Sequence, residues 1–150
     1  MSAAATTRLA QLNISADTRE TRRASTWLVA TATAHQLPAD VTVRLDHCLD
    51  EALANVIAHA GPAAKASPVE LHLAMRRSPG ACTAELTLLY QGVAFDPSRH
   101  EPASRSTNLA DAQLGGLGLV MLRQFSDAID YRRSEDRNRL TITVNWTEAA

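Results

Sequence analysis

Between Val69 and Tyr90 the chain alternates apolar and polar residues twice, on either side of "SPG", and this pattern restricts its fold more than any other. In "VELHLAMRR", Val69, Leu71, Leu73 and Met75 fall on one side, and Glu70, His72 and Arg76 on the other. "ACTAELTLLY" follows the turn as a second strand. Successive side chains of a strand point to opposite faces, so two such runs across a short turn predict an antiparallel hairpin with one face to be buried.

The rest of the chain supplies the partners. "RLAQLNISAD" (Arg8 to Asp17) alternates Ala10, Leu12, Ile14 and Ala16 with polar residues and reads as a first strand. Asp17 or Ser15 can cap a helix through "TRETRRASTWLVATATAHQ", where Ala24, Trp27, Leu28, Thr31 and Ala34 recur at helical spacing before "LPAD" ends it. A second helix spans about Val43 to Ala60, with Leu45, Leu49, Ala52, Leu53 and Val56 as its apolar stripe. "GPAAKASP" reads as a loop. Pro97 to Leu114 is aperiodic and rich in Ser, Arg, Asn, Pro and Asp, and "GGLGLVMLRQFSD" then opens a helix on glycines. "AIDYRR" and "RLTITVNW" form a last hairpin around "SEDRN", with Leu140, Ile142, Val144 and Trp146 on one face. This order predicts an α+β, two-layer sandwich with a mixed, mostly antiparallel sheet and helices on one face, as a single domain over residues 1–150.

With 15 basic and 16 acidic side chains, the balance argues against nucleic acid or an anionic membrane as an electrostatic partner. Cys48 and Cys82 lie in apolar-patterned segments without metal-ligand spacing, which predicts buried free thiols in a reducing compartment. No signal peptide or spanning helix is visible, so the expectation is a soluble cytoplasmic protein.

Two elements can carry chemistry. His47, Glu51, Asn55 and His59 repeat every four residues and form one stripe on the second helix. Such a stripe is a solvated face, a histidine–carboxylate metal site, or a catalytic edge. A carboxylate one turn from a carboxamide can polarise a nucleophile while the amide oxygen holds magnesium, a cation that keeps several waters and needs few protein ligands. The second element is "LGGLGL" (Leu114 to Leu119) at a loop-to-helix junction, either a hinge or a cradle of backbone N–H groups for phosphate.

Taken together and in order, "DEALANVIAHA", "YQGVAFDP" and "GGLGLVMLRQFSDAIDYRRSEDRNRL" resemble the GHKL (histidine kinase-like) ATPase superfamily. Within it the similarity is to the small bacterial anti-sigma-factor serine/threonine kinases, from the first strand to "RLTITV". The resemblance implies a Bergerat ATP-binding fold, with ATP and Mg2+ as ligands. It implies that Glu51 is the general base and Asn55 the magnesium ligand, and it places His59 after them with a less defined role. Gly92 matches the first glycine box beside the adenine, with Ala94 where a second glycine often stands. Gly115, Gly116, Leu117 and Gly118 match the second box around the phosphates. Pro97 to Leu114 is the implied lid, from which Arg99 or Arg105 can reach a terminal phosphate. The implied partners are a sigma factor and a STAS-domain anti-anti-sigma factor, and a homodimer is expected.

The resemblance breaks at Tyr90, where such proteins carry an aspartate that accepts the adenine amino group. Loss of a buried acceptor costs roughly 1–3 kcal/mol, or about one to two decades of affinity. Strand alternation puts Tyr90 on the face of Leu86 and Leu88, where its ring can fill the adenine slot or stack on a purine; a different register would turn it outward. Two functions follow: an active protein kinase, or a non-catalytic binding module with a degenerate nucleotide pocket.

Overall fold

The computed structural model describes residues 6–94 and 122–148. In these residues the strands β1 (Thr7–Ile14), β2 (Val69–Ser78), β3 (Ala81–Gln91), β4 (Ala128–Ser134) and β5 (Arg137–Trp146) form one five-stranded sheet, ordered β1-β2-β3-β5-β4. All its pairings are antiparallel. The helices α1 (Thr21–Ala34) and α2 (Ala39–His59) cover one face, giving the expected two-layer α+β sandwich.

The 69–90 hairpin forms as the alternation demands. Its strands pair from Glu70↔Leu89 to Ser78↔Ala81 around Pro79 and Gly80. Leu71, Leu73, Leu86 and Leu88 are wholly buried, while Glu70, His72, Glu85 and Thr83 lie on the uncovered face. The α2 stripe is buried as predicted, with Val41 and Cys48 added to it. On α1 the buried residues are Ala24, Leu28 and Ala32; Trp27 is half-buried and Ala34 exposed, so the stripe turns away from the predicted Ala34 towards Ala32.

Three boundaries differ from expectation. Asp17 does cap the first helical segment, its Oδ1 accepting from the Arg19 N–H at 2.9 Å, but that segment starts as a 3-10 turn (Thr18–Glu20). Helix α2 begins at Ala39, directly after Pro38, with Asp40 in its first turn, where a carboxylate complements the helix dipole. "GPAAKASP" is not all loop. Gly61, at φ +82°, stops α2, and Pro62 opens a short helix, α3 (Pro62–Ala66), at a position where a proline's missing N–H costs nothing.

The last hairpin is also tighter than its sequence suggests. Ser134 pairs with Arg137, leaving a two-residue turn at Glu135 and Asp136, with Glu135 at φ +58°. Consequently Asn138 lies inside β5, opposite Tyr90, rather than in the turn. Among the described residues no helix is long and apolar enough to cross a membrane.

Leu86 sits mid-sheet between Leu73 and Ile142 with no exposed surface. Leu86→Ala is expected to lower unfolding free energy by about 2–5 kcal/mol, read as a lower urea midpoint with an unchanged slope.

Candidate functional site

The polar stripe of α2 divides by burial. His47 is exposed, and its ring stacks on Phe125 at 4.9 Å between centroids and 16° between planes. One turn earlier Arg44 donates from Nε to the Phe125 carbonyl and from Nη2 to Asp127, both at 3.1 Å. The Cys48 thiol faces the Leu122 carbonyl at 3.9 Å, and burial pushes its pKa up to about 12. This half of α2 therefore fastens the chain where it leaves the helical residues 122–125. Among the described residues no three His, Cys, Asp or Glu side chains come together as a metal site, and the histidine–carboxylate alternative has no geometry behind it there.

The next two turns are different. Glu51 is half-buried, and Asp50 beside it is pushed up in pKa by burial and by the carboxylates of Asp46 and Glu51. Asn55 is 9% exposed, and its Nδ2 is buried with no hydrogen-bond partner among the described residues. An unsatisfied buried amide costs roughly 1–3 kcal/mol, so nearly all such groups in proteins are paired. An Asn55 ligand that offers an anionic oxygen would remove that cost, and the Asn55 oxygen is of the type magnesium takes. The residues present thus fit a magnesium–phosphate group. His59 is exposed at the last turn.

Beyond α2 lies the exit of β3. Tyr90 is 4% exposed and belongs to the core cluster with Leu86 and Leu88, so the outward register is excluded. Gln91 points the other way and accepts from Ser67 Oγ at 3.0 Å. Gly92 has φ +128°, and a Cβ there would stand 2.2 Å from the Ala60 carbonyl oxygen. The same oxygen receives the Val93 N–H at 2.9 Å. The Gly92 turn therefore rests against the C-terminal end of α2, with Ala94 exposed beyond it. Arg99, Arg105, Gly115, Gly116, Leu117 and Gly118 lie outside the described residues.

Sequence reading missed Asn138. It is 0% exposed, and its amide faces the carbonyls of Tyr90 and Gly92 at 3.4 Å and of Val93 at 3.5 Å. Its Oδ1 accepts from Arg133 Nη1 at 2.9 Å and from the Tyr131 hydroxyl. The apolar alternation Leu140, Ile142, Val144 extended backwards by one step would have placed it on the core face.

Comparison with known proteins agrees with the fold. The family model of the histidine kinase-like ATPase domain matches residues 14–144, and the chain belongs to that family. It is 33% identical over 117 residues to the serine/threonine-protein kinase BtrW of Bordetella bronchiseptica, covering 78% of this chain and 80% of that protein. The RsbU and RsbW domains of a Mycobacterium tuberculosis protein superpose with a TM-score of 0.59 at 14% identity, over 94% of this chain and 34% of that longer one. The SiaB–SiaC complex of Pseudomonas aeruginosa gives 0.52 at 14% identity, over 93% of this chain and 91% of the other. At such identities the two structures speak for the fold.

Two outcomes follow from the geometry. Gly92→Ala must displace a backbone carbonyl and adopt a left-handed φ, so its thermal midpoint should fall and amide exchange around Ala60 should quicken. Cys48 and Cys82 are both buried, with pKa values raised by that burial. Neither should react with a thiol reagent at pH 8 until denaturant is added, whereupon both should.

Proposed function

We propose that this chain binds Mg-ATP and phosphorylates a serine or threonine of a small STAS-type antagonist, and that it sequesters a sigma factor until the antagonist displaces it. One observation carries the reading: among the described residues Asn55 has a buried, unpartnered amide one turn after Glu51. That combination costs stability unless a ligand completes it. The relationship to a named serine/threonine-protein kinase supports the reaction class, and the fold shared with SiaB, solved as a complex with SiaC, supports a protein partner. A single domain over residues 1–150, a cytoplasmic location and a homodimer belong to the same proposal.

Phosphoryl transfer asks mainly for positioning and charge neutralisation. Asn55 is the residue that would hold magnesium, through its amide oxygen. When bound, magnesium neutralises charge on the phosphate oxygens. Glu51, half-buried one turn before Asn55, takes the proton of the acceptor hydroxyl. His59 follows on the same helix edge. By family resemblance, Gly115, Gly116, Leu117 and Gly118 wrap the phosphates and Arg105 or Arg99 meets the terminal one. Gly92 and Ala94 border the base, beside Tyr90.

A second reading rests on Tyr90. Its ring occupies the core face of the base-side strand, which favours a binding module that keeps the fold and takes nucleotide poorly. Calorimetric titration with ATP and ADP, with and without magnesium, separates the two. The kinase reading expects magnesium-dependent binding that Asn55→Ala weakens about tenfold or more, and tighter binding by Tyr90→Asp. A native chain that binds nothing, next to a Tyr90→Asp variant that binds, would establish the non-catalytic module instead.

A further inference from the structure

We infer that Arg133 and Asn138 are positioning residues for the base half of the nucleotide site, an inference that rests on the proposed nucleotide binding. Asn138 does not read a base itself, because its polar atoms are already engaged. The amide faces three carbonyls of the β3 exit, and the oxygen accepts from Arg133 and Tyr131. Arg133 adds a second hold on the same segment, donating from Nη1 to the Gly92 carbonyl at 2.7 Å. A guanidinium is always charged, and charge-assisted hydrogen bonds are the stronger kind.

The Gly92 turn is therefore gripped from two sides. The β4–β5 hairpin holds its carbonyls through Asn138 and Arg133, while α2 holds the Val93 N–H through the Ala60 carbonyl at 2.9 Å. The second grip requires the first glycine to lack a Cβ, since one would stand 2.2 Å from that same oxygen. Ala60 caps the helix that carries Asn55 and Glu51. The clasp thus sets the distance between the residues beside the base and those beside the phosphates. Releasing its hairpin side leaves α2 and Asn55 in place but frees the turn, so the base should lose affinity and the phosphates should not.

Arg133 is exposed and tolerates replacement without opening the core, which makes it the residue to test. The experiment measures three things on the full chain and on Arg133→Ala and Arg133→Lys: amide exchange at Val93 without ligand, affinity for Mg-ADP, and affinity for Mg-tripolyphosphate. In Arg133→Ala, Val93 should exchange faster and ADP should bind about tenfold more weakly, with tripolyphosphate within about twofold of the native value. Arg133→Lys should recover most of the ADP affinity. Equal losses for both ligands, or unchanged affinity for both, would overturn the positioning role while leaving nucleotide binding intact. A native chain that binds neither ligand would overturn the nucleotide reading and this role together.

Discussion

Packing the long helix α2, beside α1, on one face of an antiparallel sheet constrains the rest of the described molecule. Helix α2 runs 21 residues and buries Val41, Leu45, Cys48, Leu49, Ala52, Leu53 and Val56. With that stripe locked, the residues at its edge have no freedom to rotate into or out of the core. Arg44 and His47 then reach the chain at Phe125 and Asp127, and Ala60 receives Val93. From Arg44 to Ala60 the helix advances about 24 Å at 1.5 Å per residue, so one rod joins the entry to β4 and the exit of β3. Glu51 and Asn55 stand between those anchorages, where displacement of either end would move them.

The sheet exerts the complementary constraint through register. Because side chains alternate, a one-residue slip of β5 would turn Asn138 to the open face and leave three carbonyls near Gly92 without its amide. The two-residue turn at Glu135 and Asp136 holds that register, and it does so with a non-glycine residue at positive φ. The pair Tyr90↔Asn138 thus serves two purposes. One residue packs its ring among the leucines of the core, and the other ties down the strand's exit.

What the sequence makes legible follows from how locally each feature is encoded. The period-two runs and the α2 stripe are written in consecutive residues, and the sandwich follows from them with few errors. Boundaries were harder. Val41 and Ala39 carry no signal separable from the preceding "LP", and a short helix such as Pro62–Ala66 has too few residues for a period to show. The polar stripe is visible as spacing, but spacing cannot tell a buried Asn55 from an exposed His47 that stacks on Phe125, far along the chain. Asn138 escaped for the same reason: its partners come from a strand and a turn remote in sequence. Tyr90 was legible as to face, since Leu86 and Leu88 set the alternation, but not as to the company it keeps.

The two halves of the candidate site obey different physics. On the base side the polar acceptor expected of the family is replaced by an aromatic ring, and ring burial contributes to the core whether or not a ligand arrives. At Asn55 the opposite holds: its amide is buried with no partner among the described residues, which lowers stability in the absence of a ligand. A leucine there would extend the stripe of Leu45, Leu49 and Leu53 and remove the orphaned group. A chain needing the fold alone therefore has an energetic reason to lose Asn55 and none to lose Tyr90. The orphaned amide is therefore the feature of the candidate site that core packing does not explain, and it weighs towards the proposed phosphate and cation.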